Sequence, residues 1–278
     1  MDKAEYFRSL HAAPPILVLP NAWDAATARV FEQAGFKAVA TTSAGVAAAL
    51  GYPDGGVVPP HEMFEAVGRI AHAVQVPVTA DIEHGYGTGP DAVADMVLRA
   101  IAAGAVGVNL EDHVPGSVEL EPVELQADKI KAVVRATSKA GVRAVVNART
   151  DVFLRQVGEP SQRVAMAVER GAAYRAAGAD CVFVPGVADP SAIRALVEGI
   201  GGPVNILAVA GTPPVPELER LGVARVTLGS GPMRATLALV LEIARELASA
   251  GTYEKFTGDA LPYADVNALM ARSARGHT

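Results

Sequence analysis

Three acidic residues stand where a repeated strand–helix pattern would aim them at one place. Asp81 and Glu83 fall in VTADIEHGYG, and Glu111 falls in GVNLED. Like charges a few ångströms apart repel, so such a set either takes up protons or holds a cation. Residues two apart on a strand face the same way, which predicts that Asp81 and Glu83 share one side, with Glu111 ending the neighbouring strand. Oxygen donors with no Cys or His pair nearby suit a hard ion, Mg2+ or Mn2+, rather than zinc. The competing reading is that these acids cap the following helices or pair with Lys and Arg. Arg149, in VVNART, can hold a carboxylate or phosphate with its planar fork, or it can pair with Asp151 or Glu111 and order the site. His84 and His113 are candidate general acids or bases, although each also reads as a loop residue with no proton to move. Tyr86, between Gly85 and Gly87, can donate from its phenol or simply pack.

The elements that must position these groups follow from a recurring phrase, a helix ending in Ala-Gly or similar and then a short apolar strand. It occurs in EQAGFKAVATTS, IAAGAVGVNLED, SKAGVRAVVNART, RAAGADCVFVPG and ERLGVARVTLGS. Glycine just past a helix takes the left-handed conformation at little cost, and the apolar run reads as a buried strand. With ILVLP, VPVTADI and PVNILAV the count is eight, predicting strands over 16–19, 38–42, 77–82, 106–111, 143–148, 181–184, 203–208 and 225–228. Helices are expected near 24–34, 60–74, 90–103, 124–139, 161–177, 189–199, 214–221 and 231–249. Eight alternations favour a closed (β/α)8 barrel. An open doubly wound sheet fits less well, because no G-x-G-x-x-G follows the first strand. Active sites of such barrels lie at the C-terminal strand ends. There the chain places Thr42, Ser43, Asp81, Glu111, Arg149 and Asn205, while the strand starts are mostly Ala, Val, Gly and Pro. Trp23 is expected to pack at the rim. GYPDGG, with Asp54, has the turn chemistry of a mobile lid or a plain loop. Cys181 reads as a buried, inert thiol.

Composition bounds the rest. The 278 residues carry a net charge of −6 with no basic run, which argues against a nucleic-acid partner. An acidic small molecule would need local positive groups. A single cysteine permits no intrachain disulfide and fits a reducing compartment. The N-terminus lacks the apolar core of a secretory signal, and the longest mild stretch, AVATTSAGVAAALG, is too short to span a bilayer. The chain therefore reads as cytoplasmic, with no membrane partner. No linker-like composition divides it, so 1–278 is expected to be one barrel domain, with 252–278 a C-terminal extension carrying a short helix near 263–274.

Several segments together resemble the isocitrate lyase / phosphoenolpyruvate mutase superfamily across nearly the whole length. They are PNAWDAATARVFEQAGFKAV, LGYPDGG, TADIEHGYG, GVNLED, NARTDVFL and VNILAVAGTPPVPELERLGVARVTLG. The resemblance implies a Mg2+-dependent (β/α)8 barrel, usually a tetramer with a C-terminal helix swapped between subunits. It also implies making or breaking of C–C or C–P bonds beside a 2-oxo acid, through a metal-held pyruvate enolate. By position, Thr42 and Ser43 would bind the oxo-acid carboxylate, with Trp23 and Asn205 as further substrate contacts. Asp54 matches the acid of the gating loop, and Asp81, Glu83 and Glu111 match the metal shell, Glu83 replacing an aspartate. Arg149 matches the arginine that steadies the enolate or the departing group. The lyases carry a loop with a proton-donating Cys after the glutamate, and the mutases a Lys; here that stretch is DHVPGSVELEP, with neither. His113, His84, Tyr86 or water must then supply the proton. At strand six the lyases have Pro-Glu, and this chain has Pro185-Gly186. The implied activity is a carbon–carbon lyase of the 2-methylisocitrate or 2,3-dimethylmalate type. Oxaloacetate decarboxylation and phosphonopyruvate hydrolysis are alternatives, and a weakly catalytic 2-oxo-acid binding protein is the alternative of another class. The implied partners are a small 2-oxo or 2-hydroxy acid and further copies of the chain, as a dimer or tetramer.

Overall fold

The computed structural model describes residues 2–12 and 14–271. Its strands are β1 (Leu17–Leu19), β2 (Asn21–Ala22), β3 (Val39–Thr41), β4 (Val78–Asp81), β5 (Gly107–Glu111), β6 (Val145–Arg149), β7 (Cys181–Val184), β8 (Val204–Leu207) and β9 (Arg225–Thr227). All pair in parallel, in the order β1-β9-β8-β7-β6-β5-β4-β3-β2. Only Pro20 separates β1, which pairs with β9, from β2, which pairs with β3. Proline has no N–H to give a ladder, but its carbonyl still accepts from the Ala40 amide at 2.8 Å. The two segments are therefore one stave passing from one neighbour to the other, and nine segments make the expected eight-staved (β/α)8 barrel.

Helices alternate with the strands. They are α1 (Lys3–Ser9), α2 (Ala25–Gln33), α3 (Ser43–Leu50), α4 (Pro60–Ala73), α5 (Pro90–Ala102), α6 (Val123–Lys139), α7 (Arg163–Ala176), α8 (Pro190–Ile200), α9 (Val215–Arg220), α10 (Gly231–Ser249), α11 (Glu254–Thr257) and α12 (Tyr263–Ala271). Three were not expected: α1, α3 and the single turn α11. The short α1 is capped by Asp2, which accepts from the Glu5 amide at 2.7 Å. Its Phe7 is fully buried and packs with Leu17, Leu19, Val106 and Val145. Helix α3 starts at the Thr42 cap and ends at Gly51, whose φ is +86°.

Alternation along each stave divides the barrel into an outer apolar face and an inner polar one. On β5 and β6, Val108, Leu110, Val146 and Ala148 pack with Val93, Val97, Ile130 and Val133 of the covering helices. Between them in sequence lie Asn109 and Asn147. Asn147 Nδ2 donates to Asn109 Oδ1 at 3.0 Å, and Asn109 Nδ2 donates to Asp81 Oδ1 at 2.9 Å. An amide chain thus runs from β6 through β5 to the end of β4.

The eighth helix departs from the pattern. Only Met233 of α10 is buried, and Leu237, Leu239, Val240, Leu241 and Leu247 are exposed. Helix α12 packs instead on α2 of the same chain: Leu269 is buried, and Arg29 Nη1 donates to its carbonyl at 3.0 Å. The end of the helix expected over 263–274 lies outside the described residues. Among the described residues, no helix is long and apolar enough to cross a membrane.

Candidate active site

A cavity of about 290 Å³ opens at the C-terminal ends of the staves. Of the candidate site residues, Thr42, Ser43, Asp54, Asp81 and Arg149 line it, and Pro185 lies on the same wall. Asp81 ends β4 and is gripped from three sides. Its Oδ2 accepts from the Ser43 amide at 2.9 Å, its Oδ1 accepts from Asn109, and its own amide donates to Thr41 Oγ1 at 2.8 Å. The Ser43 amide is one of the unpaired donors at the start of α3, so a helix N-terminus faces the carboxylate. Each Asp81 oxygen keeps a second acceptor site.

Glu83 does not share a strand face with Asp81. Strand β4 stops at Asp81, and Glu83 sits in a left-handed turn with φ +52°, where two-residue alternation no longer applies. It is buried, with Oε1 accepting from Tyr86 at 3.2 Å. Burial, then the charges of Asp81, Glu111 and Asp54, push its carboxyl up to about 8, against the Tyr86 hydrogen bond. Glu111 is also buried behind the wall, with Oε2 2.6 Å from Arg149 Nη1 and Oε1 3.2 Å from His113 Nδ1. Burial raises its carboxyl, while Arg149 and His113 oppose the rise.

Arg149 realises both pairings allowed by the sequence and still lines the cavity. Beside Glu111, it donates from Nε and Nη2 to Asp151 at 2.5 and 2.8 Å. Burial disfavours its charge, but Glu111 and Asp151 outweigh that and hold the guanidinium firmly protonated. Asp151 is fully buried and is held in turn: its amide donates to Asp112 Oδ1 at 3.0 Å. Asp112 also accepts from Arg170 at 3.0 Å and Tyr174 at 2.7 Å. Sequence reasoning missed this brace. Its one signal is that Arg170 and Tyr174 are four apart on a helix and so share a face.

Trp23, Glu83, Glu111, His113 and Asn205 lie outside the cavity wall. Trp23 packs against α3, close enough that a Cβ at Gly45 would meet its Cβ at 2.9 Å. Asn205 is fully buried inside the barrel and accepts from Thr227 at 3.2 Å. Among the described residues, no group of three or more His, Cys, Asp and Glu side chains is drawn together so as to hold an ion unaided.

A family model described as phosphoenolpyruvate phosphomutase matches residues 7–248. The chain belongs to the phosphoenolpyruvate mutase/isocitrate lyase superfamily. It is 33% identical to the 2,3-dimethylmalate lyase of Eubacterium barkeri, over 80% of this chain and 78% of that one. It is 31% identical to the 2-methylisocitrate lyase of Bacillus subtilis strain 168, over 74% and 67%. A crystal structure from Burkholderia cenocepacia J2315 superposes with a TM-score of 0.84 at 43% identity, covering 88% of this chain and all (100%) of that one.

Both departures from the superfamily's motifs have a structural form. After Glu111 the chain makes a small antiparallel bridge between His113 and Leu120, and the Glu121 amide donates back to the Asp112 carbonyl at 2.7 Å. Lys129, nearby on α6, is buried in a pair with Glu121 at 2.9 Å and does not line the cavity. After β7, Gly186 has φ +89°, and a Cβ there would lie 2.9 Å from the backbone of Leu154. No side chain, acidic or otherwise, fits at that position without moving the Phe153–Leu154 segment.

Proposed function

We propose that this protein is a divalent-metal-dependent lyase that breaks the C2–C3 bond of a small 2-hydroxy acid: the 2-hydroxyl oxygen becomes the carbonyl of a released 2-oxo acid such as pyruvate, and the bonding electron pair leaves with the other half as an enolate. The observation that carries this reading is Arg149, a braced cation lining the same small cavity as Asp81.

The donor set suits Mg2+ or Mn2+. Asp81, Glu83 and Glu111 offer only oxygens, and the crowding of acids that pushes Glu83 up to about 8 is what a dication would relieve. Asp81, the one of the three on the wall, would hold the ion directly; Glu83 and Glu111 stand behind and would reach it through water. When bound, the ion would act as a Lewis acid on the substrate's carboxylate and 2-hydroxyl oxygens.

The chain's own groups do the rest. Thr42 and the α3 N-terminus orient the substrate carboxylate. Asp54, on the loop over the cavity, accepts the 2-hydroxyl proton and closes the site against water. Arg149 stabilises the negative charge that develops on the departing enolate as the bond breaks. A preorganised donor of this kind contributes roughly 3–4 kcal/mol, and the brace means that it need not reorganise during the reaction. His84, Tyr86 and His113 do not line the cavity, so the proton that quenches the enolate comes from a water molecule retained inside the closed site. The reading takes 1–278 as one barrel domain with 252–278 appended, and the exposed apolar residues of α10 support association of copies into a dimer or tetramer.

Pyruvate release from 2-methylisocitrate, 2,3-dimethylmalate, oxaloacetate and phosphonopyruvate, with Mg2+ and then with EDTA, tests the proposal. A carbon–carbon substrate should turn over only with metal, and Asp81→Ala should abolish it. Metal-dependent turnover surviving in Asp81→Ala would refute the site assignment. Turnover of oxaloacetate alone would replace the reading with decarboxylation. Binding of oxalate with Mg2+ but no turnover at all would mark a binding protein.

A further inference from the structure

Three cations line the cavity, Arg149, Arg225 and Arg234. Arg149 is paired with Glu111 and Asp151, and Arg234 is exposed to water near the start of α10. Arg225 is neither paired nor solvated. It opens β9 and is 2% exposed. Among the described residues its polar and ring partners are His11 Nε2, 3.5 Å from Nη1, and the Phe7 ring, whose centroid lies 6.0 Å from the guanidinium carbon. Neither carries negative charge. His11 spends Nδ1 on the Phe7 carbonyl at 2.9 Å, and burial, then Arg225, keep its ring neutral. Burial pushes the Cys181 thiol up to about 12, so it stays neutral as well. Asp180, which leads into β7, is committed to Arg8 at 2.8 Å and Arg143 at 3.4 Å. Burial pulls the Arg225 guanidinium down to about 10, which leaves it charged at pH 7.

A buried charge with no counter-charge is among the costliest arrangements in a protein interior. Two donors show where the compensation enters. Arg225 Nε is buried without a hydrogen-bond partner, and so is Asn205 Nδ2. Arg225 and Asn205 are register partners on β9 and β8. Thr227 lies two residues beyond Arg225 and so faces the same way. It donates to Asn205 Oδ1 at 3.2 Å, which leaves the nitrogen end of that amide free. A guanidinium N–H and an amide N–H thus stand side by side on neighbouring staves, with no acceptor between them. Water would satisfy the donors and leave the charge uncompensated. An anion answers both needs.

We infer that the barrel interior beneath the cavity is a binding site for a small monovalent anion of chloride's size, held by Arg225 and Asn205. The inference stands apart from the lyase reading, because it needs neither substrate nor divalent metal. A free halide and a carboxylate oxygen entering from the mouth share the chemistry the two donors recognise. The free ion is the better occupant, since Arg225 lies against Phe7, the α1 side chain that packs among the strand starts Leu17, Val106 and Val145 and closes that end of the barrel.

The test is thermal denaturation of the full chain, stripped of metal and desalted into gluconate, an anion too large for the site, with chloride replacing gluconate at constant ionic strength. Chloride should raise Tm saturably, by roughly 5–11 °C at a hundred times its dissociation constant. Bound chloride should also broaden the chloride NMR signal, and bromide should reverse the broadening. Both effects should vanish in Arg225→Met, which removes the charge. They should vanish too in Asn205→Asp, which gives the guanidinium a built-in partner and should melt in gluconate at least as high as the wild-type protein does. Should Arg225→Met fail to fold, Asn205→Asp and the wild-type signal decide. A Tm indifferent to chloride would overturn the inference and leave water on the two donors. An equal rise in Asn205→Asp would overturn it in favour of general screening. Malonate reversing the broadening as strongly as bromide would overturn it by assigning the two donors to a substrate carboxylate.

Discussion

Replacing Glu83 by glutamine should make the metal-free protein more stable in alkali, not less. Burial and three neighbouring acids raise its carboxyl from 4.5 to about 8. A group whose folded-state value is raised adds stability that is full below its unfolded value and lost as pH rises through the folded one. The wild-type protein in EDTA should therefore lose stability steadily between about pH 4.5 and 8. At ~1.36 kcal/mol per pH unit the ceiling is about 5 kcal/mol. Relaxation and water entry reduce it, and a loss of about 2–3 kcal/mol is expected. At 2–4 °C per kcal/mol for a chain of this size, that is roughly 4–12 °C in Tm. Glutamine keeps the shape and carries no charge, so in Glu83→Gln this slope should flatten. Added Mn2+ should restore the wild-type protein at pH 8 and do less for the variant, because the cation offsets the same repulsion. The assay is thermal denaturation at pH 5, 6.5 and 8 with EDTA or Mn2+. Parallel curves for wild type and Glu83→Gln in EDTA would refute the idea that buried like charge, awaiting a cation, defines this site.

Three further outcomes follow from single contacts. Burial first and Arg225 second hold the His11 ring down at about 4, so its contribution is present above 6.5 and lost as pH falls toward 4; His11→Gln should flatten the acid limb by up to about 3 kcal/mol, and an unchanged limb in acid denaturation would contradict this. Gly186→Ala combines a left-handed φ with a backbone clash at 2.9 Å, which should cost about 1–3 kcal/mol and lower Tm by several degrees; a neutral effect would mean that the Leu154 segment yields freely. Leu237→Glu with Leu241→Glu, on the exposed face of α10, should shift sedimentation to a smaller species while leaving barrel circular dichroism unchanged; identical sedimentation of variant and wild type would remove the support for association through α10.

The eight-fold alternation could be read from the chain because its signals are local. Glycine after each helix and a short apolar run before each polar exit report the backbone state within a few residues. Residue types at the strand ends likewise pointed to carboxylates and one arginine gathered at one rim. The first stave was harder, since Pro20 splits its pairing between two neighbours, a fact of closure rather than of sequence. Helix α1 escaped because seven residues burying only Ala4 and Phe7 show no period.

What the sequence determined by itself was the set of elements and the chemistry available at their C-terminal ends. Tertiary structure alone decided how that chemistry is deployed. It turned Glu83 off the strand face through a left-handed turn and tied Arg149 at once to Glu111 and Asp151. It also braced Asp151 through Asp112, which Arg170 holds from a helix nearly sixty residues beyond Asp112 in the chain. It laid the Leu154 backbone against Gly186, where no side chain fits, and it left α10 with only Met233 buried. The physical reason is range: a hydrogen-bond ladder and a turn are encoded by neighbours, whereas the partner of a buried charge and the wall of a cavity depend on which distant segments the closed cylinder brings together.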